Sequence, residues 1–259
     1  MRGIHLHGDR PARRRRVISN TADFLAASLG RTGRHYPGRA IGAMLPLEPG
    51  LTRKSTMEEN TLLDLVSSRR SATTLVEPGP SPSQLEAMLR AAGSVPDHGL
   101  LRPFRFVVAA GEARGTFGDA LAAVAGELSP GAPAARLQKV RDKAFRSPAL
   151  IALVFSPKPG KIERWEQSAT AACAGYAVLL AAQALGVGAV WKSVPFTKGR
   201  AFSEILGFTE DEELLGWIHL GTSPPDAVPP PRPTLVLEEV ATVLGTAGRT
   251  PFRDARASG

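Results

Sequence analysis

The stretch WEQSATAACAGYAVLLAAQAL at residues 165–185, followed by GVGAVWKS at 186–193, decides the fold. Ala and Leu dominate the first part and Pro is absent, so a long helix is expected over Trp165–Leu185. The glycines that follow end it, and Gly188–Ser193 reads as a short strand. No charged residue occurs from Ala169 to Val190. A membrane span is nevertheless not expected, because alanine contributes little transfer energy and Thr170, Gln183 and the glycines weaken the run further. A helix that is apolar all round and does not span a bilayer is a buried one. Its expected place is the centre of the domain or an interface shared by two copies of the chain, where small residues let a backbone approach closely.

Outward from this core, ALIALVF at Ala149–Phe155 is an uninterrupted apolar run of strand length, and so a strand buried on both faces. Phe104–Ala110, ended by Gly111, and Leu214–Leu220, closed by Gly221, are two further strands. Helices alternate with them. Glu58–Arg69 carries Leu62, Leu63 and Val66 on one face. Ser81-Pro82-Ser83-Gln84 has the residues of a capping box, with Pro at the first helical position, and opens a helix striped by Leu85, Met88, Leu89 and Ala92 that ends near Gly93. Residues 113–128 and 135–146 read as surface helices, and Ala201–Leu206 as a short helix stopped by Gly207. Pro96–Gly99 is loop, Pro224–Pro233 holds six prolines and is an extended arm, and Leu235–Leu244 is a final helix or strand. The alternation predicts a layered fold of helices over a central sheet of four strands; periodicity alone does not order the strands.

Charge is distributed unevenly over the 259 residues. Residues 1–56 carry ten Arg, four of them consecutive at Arg13–Arg16, and Lys54 against Asp9, Asp23 and Glu48. They account for the whole net charge of +8, and residues 57–259 are neutral overall, which removes the electrostatic reason to expect a nucleic-acid partner for the folded part. The expected organisation is a basic, disordered extension over 1–56, a folded domain over 57–245 and a short tail over 246–259. The extension reads first as upstream sequence preceding a start at Met57, with a solvated arm or an arm for acidic partners as the alternatives; a secretory signal is not expected, since Val17–Leu29 offers no clean apolar core. One cysteine, Cys173, excludes a disulfide scaffold and a thiolate zinc site, and no metal site is expected.

Arg69-Arg70-Ser71 offers two planar guanidiniums and a hydroxyl at a helix-to-loop junction, a combination suited first to capping a helix C-terminus and also to holding a phosphate. Trp191-Lys192-Ser193 combines an aromatic ring, a cation and a hydroxyl, and suits either the wall of a planar ligand or a core Trp beside a snorkelling Lys. Asp97-His98 reads as loop hydrogen bonding or a ligand contact rather than a catalytic dyad, His219 as a core histidine, Cys173 as buried and Glu166 as a partner of its helix dipole. No GxGxxG, Walker A, GxSxG or HExxH sequence occurs. A redox enzyme whose bound cofactor performs the chemistry fits this inventory best.

In order, LLDLVSSRRS at Leu62–Ser71, the Pro96-Asp97-His98 loop before Pro103-Phe104, Phe145-Arg146-Ser147-Pro148, Arg164-Trp165-Glu166-Gln167, the Ala-rich helix, Trp191-Lys192-Ser193 and Gly221-Thr222 resemble the nitroreductase superfamily over about residues 57–245. The resemblance implies an α+β homodimer with a central mixed or antiparallel sheet, the long helix at the dimer interface and FMN bound between subunits. It implies FMN contacts from Arg69, Arg70, Ser71, Ser94, His98, Trp191, Lys192 and Ser193, and places the nicotinamide nucleotide near Ala181, Ala182, Gln183, Ala184, Leu185 and Gly186. Lys192 departs from the Arg common in that branch, which keeps charge and loses the bidentate fork. The implied activity is cytoplasmic ping-pong hydride transfer from NAD(P)H through FMN to a nitroaromatic, quinone or similar acceptor. The alternative is a non-catalytic FMN-binding protein on the same fold. No catalytic side chain is singled out.

Overall fold

Strands β1 (Phe104–Ala110), β2 (Ala149–Phe155), β3 (Gly188–Lys192) and β4 (Glu213–Gly221) form one sheet in the order β1-β2-β4-β3. Every pairing is antiparallel, so of the expected mixed or antiparallel sheet the second form is realised. The computed structural model describes residues 55–252 except Ala247. These lie within one compact unit spanning Leu51–Gly259. The basic extension over 1–54 and the tail beyond 252 lie outside the described residues.

The helices are α1 (Ser55–Ser68), α2 (Pro82–Ala91), α3 (Ala113–Leu128), α4 (Ala134–Arg141), α5 (Arg164–Ala184), α6 (Arg200–Leu206) and the single turn α7 (Leu237–Val240). The Ser81 side chain accepts from Gln84 N while the Gln84 side chain accepts from Ser81 N, completing the expected capping box. Helix α2 gives way to a 3-10 turn at Ala92–Ser94, and α4 to one at Asp142–Phe145, so the single helix expected over 135–146 is two elements. The segment read as helix or strand at 235–244 is both: α7 leads into a hairpin of β5 (Thr242–Gly245) and β6 (Gly248–Pro251).

Two apolar layers sandwich the sheet. Leu150, Ala152 and Val154 of β2 pack with Phe117, Leu121 and Val124 of α3 and Phe202 of α6. Ile151 packs on the other side with Met88 of α2 and Ala174 and Val178 of α5. This is the alternation a strand buried on both faces must show. Helix α3 is therefore no surface helix: Phe117, Ala120, Leu121 and Val124 are buried. At Gly175 of α5, a Cβ would stand 2.7 Å from Leu153 Cδ2 and 2.8 Å from Trp191, so the absent side chain sets how closely helix and sheet approach.

Helix α5 is not buried all round. Gln167, Thr170, Ala171, Ala174, Gly175 and Val178 face the sheet, while Trp165, Cys173 and Tyr176 are exposed. The physical reason is that one sheet covers only one side of a helix. Leu62 and Leu63 of α1, expected on an inward face, are also exposed, because α1 stands off the body and meets α5 at its C-terminal end.

At the outer end of the sheet, Glu212 is buried and takes two charge-assisted hydrogen bonds from Arg105, at 2.7 and 2.6 Å, and one from Thr209 N at 3.0 Å. Burial alone would raise its pKa; the bonds from Arg105 and Thr209 outweigh this and hold it below the ordinary carboxylate value. Glu212→Gln breaks a nearly buried pair and should cost about 3 kcal/mol in urea unfolding, the low end for such pairs since Arg105 is partly exposed. Because folding lowers this pKa, the contribution is present above the unfolded value and is lost as pH falls through the folded one. Acid unfolding of the variant should accordingly depend less on pH in the carboxylate range.

Candidate functional site

The segment after α1 runs along the edge strand β3 and is tied to it by the hydrogen bond from Ala72 N to Ala189 O, 2.9 Å. A second tie is the antiparallel bridge between Val76 and Thr222, bonded in both directions at 2.9 Å. Ala72 lines two clefts.

In the first cleft, Arg69 and Arg70 meet Gln183 from the end of α5, together with Gly188 and Ser223. Arg70 Nη1 donates to Ser67 O at 2.9 Å, so part of this guanidinium caps α1 as the bland reading of the motif required. Arg232, in the proline-rich arm, donates to Arg69 O at 2.8 Å and brings a third guanidinium to the same corner. A lone cation among six prolines was its only signal in the sequence. Gln183 Nε2 reaches Ser68 Oγ at 3.4 Å, so of the small-residue stretch Ala181–Gly186 one polar side chain faces this cleft.

The second cleft, of ≈ 230 Å³, lies against the opposite face of β3. Lys192 and Ser193 line it with Thr73, Lys143, Arg146 and His219. Alternation explains the grouping: Lys192 pairs with Trp217 and Val190 with His219, and paired residues project to one face. Trp191, between them, turns to the other face and packs over Gly175. Lys143 and Arg146 come from the 3-10 turn before β2; nothing in the sequence signalled that this turn closes over the end of β3.

The floor of this cleft is polar and buried. Ser147 Oγ donates its one proton to Ala149 O at 2.8 Å, so its 2.7 Å bond to His219 must run from Nδ1–H to Oγ. His219 is thereby the Nδ1–H tautomer, and Nε2 is left as an acceptor on the cleft side. Burial, and then the charges of Lys192 and Arg146, hold its pKa down at about 4. Trp217 Nε1, also buried here, has no hydrogen-bond partner.

Ser71 is exposed beside the first cleft. Ser94 and His98 lie elsewhere on the chain and line neither cleft. Ser94 Oγ donates to Ala91 O at 2.8 Å, and His98 Nδ1 lies 2.6 Å from Glu166 Oε1, giving Glu166 a partner beyond its helix dipole. Asp97 is a loop residue in the expected sense: its carboxylate accepts from Arg102 N at 2.7 Å and does not orient His98. Cys173, expected to be buried, is exposed on the outer face of α5. Among the described residues no cluster could hold a metal ion, and no helix is long and apolar enough to cross a membrane.

The Nitroreductase family model matches residues 66–222, more than half of the chain and all four strands of the sheet. The chain belongs to the nitroreductase family. It is 37% identical over 161 residues to the Escherichia coli K12 protein named "Putative NAD(P)H nitroreductase YdjA", covering 62% of this chain and 87% of that one. A Haemophilus influenzae relative of the same designation is 35% identical over 162 residues, with the same shares covered. Among solved structures, a nitroreductase-like family protein from Bacillus cereus superimposes with a TM-score of 0.61 at 24% identity, covering 71% of this chain and 96% of that one. A nitroreductase with bound FMN from Bacteroides fragilis gives 0.53 at 18% identity, with shares of 71% and 98%. The α+β fold is thus that of the nitroreductases, and the chain is an oxidoreductase of that family.

NMR of the ring nitrogens should find His219 neutral, with its proton on Nδ1, down to about pH 4. Since folding lowers this pKa from the ordinary 6.5, the unfolded chain binds the proton first, and the residue's share of stability is lost as pH falls from 6.5 toward 4. Ser147→Ala leaves the buried Nδ1–H without an acceptor and should cost about 1–3 kcal/mol.

Proposed function

We propose that this nitroreductase is an FMN-dependent NAD(P)H oxidoreductase of the cytoplasm, acting on nitroaromatic, quinone or similar electron-poor acceptors. The observation that carries the reading is the course of residues 69–73 along β3, which sets a three-guanidinium corner and a cationic cleft on either side of Ala72. The residues fit the group at both ends. Arg69, Arg70 and Arg232 would grip the phosphate with planar forks, and Ser71 would add a neutral donor. Lys192, Ser193, Thr73 and Arg146 supply donors for carbonyl oxygens of the ring. The unpaired Trp217 Nε1 makes an arriving acceptor atom favourable near the floor. When bound, FMN supplies the hydride relay, receiving from NAD(P)H and delivering to the acceptor in ping-pong order. The chain's own work is to hold the phosphate, fix the ring against β3 and keep positive charge at its polar end. With His219 neutral, that charge comes from Lys192, Arg146 and Lys143.

The same reading requires a second copy. The exposed Trp165 and Tyr176 of α5, with Leu62 and Leu63 of α1, form apolar surface that a homodimer would cover. Ser94 and His98, which join neither cleft within one chain, would then contact the flavin of the other subunit. The nicotinamide nucleotide would enter beside Gln183 at the end of α5, the one polar member of Ala181–Gly186. Residues 1–56 are read as an appendage without a part in the chemistry.

The purified protein should be yellow, with flavin absorbance that NAD(P)H bleaches without air and that a nitroaromatic restores. Flavin that binds and is not bleached would instead mark a non-catalytic FMN protein. Arg69→Ala with Arg70→Ala should weaken FMN binding by several kcal/mol, at about 1.5–3 kcal/mol for each charge-assisted contact. Unchanged flavin retention would place the phosphate elsewhere.

A further inference from the structure

Lys143 belongs to a second cavity besides the Lys192 cleft: a groove of ≈ 420 Å³ between α3, α4 and the loop after β3. The shared side chain sets the two side by side. Leu128, Val140 and Phe196 give the groove an apolar wall, and Leu128 is 61% exposed. Arg136, Lys139 and Lys143 line it as well.

The acids on the surrounding elements are largely engaged elsewhere. Asp119 pairs with Arg141 at 2.5 Å. Glu127 accepts from Arg200 N and Ala201 N at 2.9 and 3.0 Å, capping α6. Asp142 accepts from Gln138 at 2.7 Å. Among the described residues, Arg136, Lys139 and Lys143 take part in no ion pair. Three unpaired cations beside apolar side chains make a site for a molecule with a flat or apolar body and an anionic end, since charge and apolar surface each reward a different part of such a ligand.

We propose that this groove receives the anionic end of a redox partner whose body reaches the Lys192 cleft, and so selects for negative charge among the enzyme's small-molecule donors or acceptors. The proposal rests on the flavin reading for what happens in the cleft and not for the binding itself. The shared chemistry is a phosphate or carboxylate on an aromatic body. It has two sources: the 2′-phosphate of NADPH, or an acidic aromatic acceptor.

Calorimetry on the full-length protein, with and without FMN, tests this using two pairs of probes: 2′,5′-ADP against 5′-AMP, and 4-nitrobenzoate against 4-nitrobenzamide. In at least one pair the more anionic member should bind about tenfold more tightly at low salt, and the preference should shrink at high salt. The nucleotide pair responding assigns the groove to the donor and moves the nucleotide there from the end of α5; the nitroaromatic pair responding assigns the groove to the acceptor and leaves the nucleotide beside Gln183. Arg136→Ala with Lys139→Ala, both outside the flavin clefts, should abolish the preference while leaving FMN content and thermal midpoint unchanged. In steady state the variant should raise KM for the favoured anion about tenfold with kcat unaltered. Equal binding within both pairs, or a preference that survives the double substitution, would overturn the proposal. Absence of flavin from the protein would defeat the cofactor reading and leave the calorimetric comparison standing.

Discussion

The arrangement of the molecule depends on one pairing, β4 lying antiparallel between β2 and β3, and on the irregularity within it. The register of β2 on β4 shifts between Leu153 and Val154, so that Leu214 and Trp217, three residues apart, both reach the core layer of α3 and α6. An extra residue in one strand does this and little else can. Leu215 is the extra residue; beside it Gly216 has a φ of 147°, and a Cβ there would lie 2.3 Å from Trp191 Nε1 and 2.6 Å from Lys192 O. Only glycine allows that approach. Beyond the bulge, Trp217 and His219 project toward the cleft, and their partners Lys192 and Val190 follow them.

This pairing also accounts for the division of labour at Trp191-Lys192-Ser193. Consecutive side chains of a strand face opposite ways, so Trp191 is spent on packing against α5 while Lys192 is delivered to the cleft. A buried neutral histidine behind the cation is a consequence of the same geometry. Lys192 and Arg146 raise the cost of protonating His219, and Ser147 fixes its tautomer. Positive charge at the cleft is thereby kept on side chains that an anionic or carbonyl-bearing ligand can reach, and kept off the ring that supports them.

Much of the fold was legible along the chain because local chemistry dictated it. The seven-residue run Ala149–Phe155 admitted no reading but a buried strand, and the Ser81–Gln84 box placed the start of α2. Arg69, Arg70 and Lys192 were legible as cations at the ends of elements, and the resemblance, rather than their spacing, named them as ligand contacts. Where the reading went astray, the cause was distance. The apolar content of α5 spoke of burial, but one chain covers one face, and Cys173 lies on the other. Phe117, Leu121 and Val124 made α3 a core helix although its moderate pattern had suggested a surface one.

The sequence by itself determined which segments become helix or strand, where charge is concentrated, and the order of motifs that places the chain among the nitroreductases. Those are matters of neighbouring residues: periodicity, caps and glycines act over a turn or a pleat. Only the tertiary structure decided that Lys143, Arg146 and His219 join Lys192, that Arg232 returns to Arg69, and that three cations line an apolar groove without carboxylate partners. The meeting of His219 with Lys192 is set by strand register, and the others by how an arm, a turn and a helix pack; these effects reach side chains dozens of residues apart and leave no local trace.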